Sequence, residues 1–229
     1  AGAGTRMNAG ISKQFLPLGG KPVLCHTLTV FDLHPAITEI VLVVSKEDKA
    51  QAEEMVFRKH PFRKISPLVQ GGVDRRESVY RGLLAVSPGT DYVLVHDGCR
   101  PFVTPEMISQ SLESAVKFGG AVVAVPLRDT LKRGEENLVK GTVPRAGLWR
   151  AQTPQAFRFS LLLKAYEEAM KSGAEATDDS LLVERLGEDV AIVPGSDLNI
   201  KITVQEDMVL AELILQMGKE RNTGEARFV

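Results

Sequence analysis

A chain of 229 residues with a hydrophobic fraction of 44% and a formal net charge of -1 is sized for one α/β domain with a sizeable core. It has no basic excess of the kind that general nucleic-acid or membrane-surface binding requires, so neither partner is expected. Two cysteines, Cys25 and Cys99, are too few for a disulfide framework and lack neighbours at zinc-site spacing; the expected compartment is reducing and cytosol-like, and no run approaches the roughly 18 apolar residues of a membrane span.

The chain opens on Ala1-Gly2-Ala3-Gly4-Thr5-Arg6-Met7, with Lys13-Gln14 soon after. Glycines without a Cβ bring backbone N–H groups against a polyanion, and Arg6 and Lys13 would add mobile positive charge. The spacing is neither a Walker A loop nor a dinucleotide fingerprint, and a glycine-rich surface turn looks the same. A phosphate loop normally follows a buried strand, so a strand is expected upstream of Ala1. The expected address is cytoplasmic, with a plastid targeting segment as the open alternative.

Residues 37–44 form a near-continuous β-branched run, expected as a strand buried on both faces, and 46–59 read as a polar-faced helix. A short strand near 65–69, a helix over 75–86 and a strand over 92–96 continue the βαβ rhythm of a parallel sheet. Thr104-Pro105-Glu106 places an N-cap residue before a proline at the first helical position, so a helix should run to Phe118. Residues 121–125 make the next buried strand. The rhythm then breaks: Thr130-Leu131-Lys132 and Leu138-Val139-Lys140 flank the polar tip Arg133-Gly134-Glu135-Glu136-Asn137, which predicts a hairpin projecting from the sheet. A lone ribbon is marginal, so it packs on a second copy of the chain or is a loose surface hairpin. Helices over 161–171 and 178–186, the second capped by Thr177, precede strands over 190–193 and 199–202 and a helix over 205–217 capped by Thr203. The expected organisation is a single domain over 1–217, including an arm over 127–150, with a frayed polar tail over 218–229.

Three further stretches carry chemistry. His96-Asp97-Gly98-Cys99-Arg100-Pro101 follows the carboxyl end of a central strand, where open α/β sheets bind ligands. Asp97 opposite a triphosphate calls for an intervening divalent cation, and Mg²⁺ suits one carboxylate with phosphate oxygens; alternatively Asp97 and Arg100 are a surface ion pair. Gln70-Gly71-Gly72-Val73-Asp74-Arg75-Arg76-Glu77-Ser78 is a glycine turn running into a helix N-terminus, suited to an anion or a base edge, or simply a strand-to-helix connection capped by Asp74. Lys201 either points into the same cleft or is solvated. The four histidines show no Ser-His-Asp arrangement, and Cys99 has no base to activate it.

In this order, Gly2-x-Gly4-x-Arg6-Met7 with Lys13-Gln14, Gly71-Gly72…Arg75…Ser78, His96-Asp97-x-x-Arg100-Pro101, Asp129-Thr130-Leu131-Lys132, Leu148-Trp149, Gln152-Thr153-Pro154-Gln155, Thr177-Asp178-Asp179 and Asn199-Ile200-Lys201-Ile202-Thr203 resemble the 2-C-methyl-D-erythritol 4-phosphate cytidylyltransferases. The resemblance implies an α/β fold with a Rossmann-like, mostly parallel open sheet of nucleotidyltransferase type and a projecting β-arm. It implies transfer of CMP from CTP to methylerythritol phosphate, with Mg²⁺, in the non-mevalonate isoprenoid route. It assigns catalysis to Arg6, Lys13 and Lys201, and CTP binding to Ala1, Gly2, Gly4, Gly72, Val73, Arg75 and Ser78. Asp97, Arg100, Thr130, Arg145 and Thr153 fall to the substrate, Asp97 also to the metal, and Thr130 and Arg145 would reach into the partner subunit of a homodimer through the arm. Three positions depart from the family pattern: Ser12 stands where proline is usual, Val73 for an acidic residue, and Pro144 for an aspartate before Arg145. A ribitol-5-phosphate cytidylyltransferase, or a non-catalytic nucleotide-binding module on this fold, are the alternatives.

Overall fold

The computed structural model describes residues 12–66, 68–173 and 176–223. After a single helical turn over Lys13–Phe15, β1 (Pro17–Leu18) and β2 (Lys21–Pro22) make a tight hairpin. Its corner is Gly19 and Gly20, with φ of 55° and 84°, a conformation open to residues lacking a Cβ. Next come α1 (Val23–Leu33), β3 (Val43–Val44), α2 (Lys49–Ala52), β4 (Val69–Gln70), α3 (Arg75–Leu84) and β5 (Tyr92–Val95). Then follow α4 (Pro105–Phe118), β6 (Gly120–Pro126), β7 (Leu131–Glu135), β8 (Leu138–Val143) and β9 (Trp149–Arg158). The last elements are α5 (Phe159–Ser172), α6 (Asp179–Glu184), β10 (Ala191–Pro194) and α7 (Gln205–Thr223).

The main sheet has the order β10-β6-β9-β5. β10 pairs with β6 in parallel, and β9 lies antiparallel to both β6 and β5, so β5, β6 and β10 share one direction and β9 alone opposes it. β6 reads Gly-Ala-Val-Val-Ala-Val-Pro and is buried along all but its last residue, as a strand covered on both faces must be. One face packs on Phe31, Val103, Met107 and Ile108; the other side of the sheet is covered by α5 and α6, whose Leu162, Tyr166 and Val183 cluster with Phe157 of β9. β3 and β4 form a separate parallel pair.

Local chemistry accounts for several boundaries. Thr104 Oγ1 accepts from the Met107 N–H at 3.3 Å with Pro105 opening α4, and Gly119 at φ 89° ends it, matching the expected helix. Elsewhere the structure corrects the sequence. The expected strand over 37–44 pairs, among the described residues, as a strand at Val43–Val44 and by an isolated bridge from Ile40 to Ile65, with the Leu42 carbonyl accepting from Val69 N–H between them. The helix expected over 46–59 is a short α-helix that widens to a π-turn over Glu53–Phe57. Asp178, not Thr177, caps α6, its carboxylate accepting from Leu181 N–H at 3.1 Å, because an ionised carboxylate is the stronger acceptor. Thr203 does not cap α7 by accepting; its N–H and hydroxyl both donate to Asp207. α7 also continues past Met217 to Thr223.

Two corrections bear on the site. Residues 199–202 form no strand: Ile202 N–H donates to the Cys99 carbonyl at 2.9 Å, and the Asn199 carbonyl accepts from Arg100. β9 is a ten-residue strand that the sequence pattern hides, since it carries Pro154 at a position where a ladder donor is lost. A register shift absorbs it: Val122 faces Gln155 and Ala124 faces Ala151, so Gln152, Thr153 and Pro154 stand together opposite Val123. The Thr153–Pro154 peptide is cis.

Candidate active site

The site gathers where β5 ends, where the segment over 199–202 lies against it, and where the bulge of β9 reaches both. Lys201 Nζ is 3.0 Å from Asp97 Oδ2, and Arg100 Nε reaches the same oxygen at 3.3 Å. Arg100 also donates to the Asn199 carbonyl at 2.8 Å. Asn199 is fully buried and donates to Gln152 Oε1 at 3.2 Å and to the Thr153 carbonyl at 3.0 Å. The side chain of Gln152 donates to the Ser196 carbonyl at 2.8 Å. The segment carrying Lys201 is thus held by side-chain amides rather than by strand pairing, and the Lys201 side chain, 39% exposed, keeps access to a ligand.

Thr153, delivered by the bulge, accepts from the Asp97 N–H at 3.1 Å and meets His96 Nδ1 at 3.0 Å. His96 Nε2 meets the Arg100 carbonyl at 3.2 Å. A carbonyl only accepts, so Nε2 carries the proton, and Thr153 donates to Nδ1 of a neutral ring. Burial favours the same neutral form: desolvation lowers the His96 pKa to about 4, outweighing its bond to the Arg100 carbonyl and the Asp97 charge. Burial pushes the Asp97 carboxyl up, but Lys201, then Arg100 and Arg75, override it and bring it to about 2. Asp97 is therefore ionised at neutral pH, 16% exposed and surrounded by cations. Both pairing cations engage Oδ2; Oδ1 takes no hydrogen bond among the described residues.

Lys13 exerts its charge on Cys99 and on Asp207, which places it on this same flank. Cys99 is buried and its thiol pushed up by desolvation; Cys25, also buried, is pushed up to about 11. Neither is a reactive thiolate. Among the described residues no group of three or more His, Cys, Asp or Glu could hold a metal by itself.

The glycine turn is closed on its own side chains. Gly72 N–H donates to Ser78 Oγ at 3.0 Å, and Val73 N–H to Glu77 at 2.8 Å. Arg81 ties Glu77 at 2.6 Å and the Gly71 carbonyl at 2.8 Å. A Cβ on Gly72 would stand 2.3 Å from Glu77 Cγ, so only glycine fits. Val73 is 95% exposed, consistent with a position whose backbone rather than side chain is engaged. Arg75 forms a two-pronged pair with the fully buried Asp179 at 3.0 and 2.5 Å. Burial works against its charge, and Asp179 restores it, leaving the guanidinium pKa raised. Tyr166 donates to Asp179, and Gln155 Oε1 accepts from the N–H groups of Asp179 and Ser180.

Lys13, Arg75, Asp97, Arg100, Thr153 and Lys201 therefore converge, with Gly72, Val73 and Ser78 at the head of α3. Thr130 and Arg145 stand apart on exposed backbone flanking β7 and β8, Arg145 donating to the Arg128 carbonyl; within one chain they share no bond with Asp97 or Lys201. Ala1, Gly2, Gly4 and Arg6 lie outside the described residues. Sequence reasoning left Gln152, Gln155, Asp179 and Asn199 without roles, although each sits in a quoted motif; Asp48, discussed below, carried no signal. A cavity of about 340 Å³ lined by Val122, Ala124, Trp149, Glu184 and Ile192 shares no residue with the Asp97 cluster.

A family model described as 2-C-methyl-D-erythritol 4-phosphate cytidylyltransferase matches residues 1–217. The enzyme of that name from Geobacillus thermodenitrificans is 46% identical over 215 residues, covering 94% of this chain and 93% of its own. The solved structure of 4-diphosphocytidyl-2C-methyl-D-erythritol synthase from Anaerococcus prevotii superposes with a TM-score of 0.81 at 34% identity, covering 92% of this chain and 93% of the other. That of the cytidylyltransferase from Thermus thermophilus does so with a TM-score of 0.76 at 36% identity, covering 89% and 94%.

Proposed function

The chain belongs to the 2-C-methyl-D-erythritol 4-phosphate cytidylyltransferase family, and from that premise and the site geometry we propose how it transfers CMP from CTP to methylerythritol phosphate. It is a nucleotidyltransferase of isoprenoid biosynthesis, and the non-mevalonate route is the one its acceptor belongs to. A phosphate oxygen of the acceptor forms a bond to the α-phosphorus of CTP as the bond to pyrophosphate breaks, giving 4-diphosphocytidyl-2-C-methyl-D-erythritol. No protein nucleophile is needed, and neither cysteine offers one. What the protein supplies is position and neutralising charge where the equatorial oxygens and the leaving pyrophosphate become more negative.

The observation that supports this reading is the convergence of Lys201 and Arg100 on one ionised carboxylate, with Arg75, paired to Asp179, and Lys13 acting on the same cluster by charge. We assign Lys201 to the α-phosphate, and Lys13 and Arg6, as the family resemblance implies, to the triphosphate. The glycine turn reads cytosine: its ring carbonyl and N3 are acceptors, able to replace Glu77 at the Val73 N–H and Ser78 at the Gly72 N–H. Oδ1 of Asp97, which takes no hydrogen bond among the described residues, suits Mg²⁺, which prefers one or two carboxylates and takes its other ligands from phosphates and water. When bound, that ion neutralises phosphate charge. Thr130 and Arg145, which share no bond with Lys201 within one chain, are assigned to a partner subunit's site, with the β7–β8 hairpin as the dimer contact; Leu138 and Val139 on it are 62% and 66% exposed. Two unpaired thiols suit a cytoplasmic setting.

The test is pyrophosphate release by the purified chain with CTP, Mg²⁺ and methylerythritol phosphate, against omission of each. Release is expected only with all three. Equal or faster release with ribitol 5-phosphate as acceptor overturns the substrate assignment, and CTP binding without release overturns catalysis.

A further inference from the structure

Asp48 is the residue at the N-cap position of α2, yet its carboxylate makes no capping bond to that helix. It is 5% exposed, and both oxygens are spent elsewhere: Oδ1 accepts from the Ser12 hydroxyl at 2.6 Å and Oδ2 from the Gln14 amide at 2.8 Å. Those are the two residues flanking Lys13. Asp48 is itself anchored at the end of β3, its N–H donating to Ser45 Oγ at 3.1 Å and its carbonyl accepting from Ala52 N–H at 2.8 Å. The turn is fixed from below as well: Phe15, 1% exposed, is buried against Leu24, Leu28 and Val56, and Phe15 N–H donates to the Ser12 carbonyl at 2.9 Å.

We propose that Asp48 is a positioning residue that fixes the Lys13 turn through its bonds to Ser12 and Gln14, holding the Lys13 ammonium at the phosphate-binding flank. A buried carboxylate accepting two side-chain hydrogen bonds makes short, directional contacts, and a lysine on a flexible four-carbon stem neutralises a reacting phosphate only if its backbone root does not move. The sequence holds a simple control. Ser12 has φ -63° and ψ 135°, and proline fixes φ near -65°, so Ser12→Pro fits the backbone and restrains the turn without Asp48.

The inference rests on Lys13 acting on the triphosphate, and the experiment separates the two. Steady-state pyrophosphate release is measured for the full chain and for Asp48→Asn, Ser12→Ala, Lys13→Ala, Asp48→Asn with Lys13→Ala, and Asp48→Asn with Ser12→Pro, each checked for folding by its thermal unfolding. Asp48→Asn, which cannot accept from both donors without turning an NH₂ toward one, is expected to lower kcat on the order of tenfold or more, and Ser12→Ala by a smaller factor. In the Lys13→Ala background the same change should cost little, because groups acting as a unit are not additive. Adding Ser12→Pro should recover much of the lost kcat. An Asp48→Asn enzyme with near-normal kcat, an equal loss with and without Lys13, or no recovery on adding proline overturns the role of Asp48. Full turnover by Lys13→Ala overturns the assignment of Lys13 and the positioning role with it. Should Asp48→Asn fail to fold, Ser12→Ala decides: unchanged kcat in that variant overturns the proposal.

Discussion

Lys201 and Asp97 form the ion pair at the centre of the proposed site. With the Asp97 side chain 16% exposed this is not a surface ion pair, and under the proposed function a bound triphosphate would share the cations that hold Asp97 ionised. Replacing Lys201 by Ala is expected to reduce kcat by about 10²–10³, as for loss of one preorganised charge, while circular dichroism and thermal unfolding stay near those of the parent. Near-normal turnover would remove Lys201 from the reaction. Protonation tests the neighbouring residue. The His96 pKa is depressed to about 4 from the ordinary value near 6.5, so the unfolded chain binds the extra proton between those values. Stability contributed by neutral His96 is fully present above about pH 6.5 and is lost as pH falls through 4. Asp97, depressed to about 2, adds a loss below its ordinary range near 3.8. Urea unfolding free energy should therefore decline from pH 7 to 4, and His96→Gln should flatten that decline; an unchanged slope in the variant would contradict the neutral ring.

Between elements, the buried carboxylate of Asp179 does the joining. It ties the head of α3 through Arg75 and α5 through Tyr166, while the backbone N–H groups of Asp179 and Ser180 at the start of α6 donate to Gln155 of β9. Asp179→Asn leaves Arg75 facing a neutral amide beside a Tyr166 hydroxyl. Breaking one partner of a buried pair costs about 3 kcal/mol, so a clear drop in the unfolding midpoint is expected. Because Arg75 opens the helix that follows the turn proposed to read the base, the KM for CTP should rise as well. A loss of stability with unchanged KM would confine Asp179 to packing. The bulge in β9 belongs to the same scale: three residues opposite Val123 turn Thr153 toward Asp97 and Gln152 toward Asn199, two directions that a regular strand would not give.

At the level of the whole molecule, the proposed acceptor site includes Thr130 and Arg145, which within one chain share no bond with Asp97 or Lys201. If Thr130 and Arg145 complete a partner subunit's site, a mixture of Arg145→Ala and Lys201→Ala chains should regain activity that neither has alone. Random exchange gives mixed dimers in half of the population, each with one intact site in two, so about a quarter of full activity is expected. Sedimentation should give the mass of two chains. Absence of complementation after verified subunit exchange would place both residues in one chain's site or outside it.

Much of this was legible in the residues themselves. The helix over 105–118 follows from Thr104-Pro105 and Gly119, the buried β6 from its unbroken apolar run, and the β7–β8 hairpin from a polar tip with Glu136 and Asn137 taking positive φ. The motifs named the family because their order along the chain survives without coordinates. What the sequence by itself determined was therefore local: caps, turns, apolar periodicity, and which residue types occur in which order. Only the tertiary structure decided that β9 is a strand in spite of Pro154, that 199–202 is held by Asn199, Gln152 and Arg100 instead of a ladder, and that Asp48 grips both neighbours of Lys13 from 34 and 36 residues away. The reason is physical. Propensity and capping act within a turn of chain, whereas a buried carboxylate or amide takes its partners from whatever the packing of the sheet brings within 3 Å, and no spacing rule along the chain encodes that.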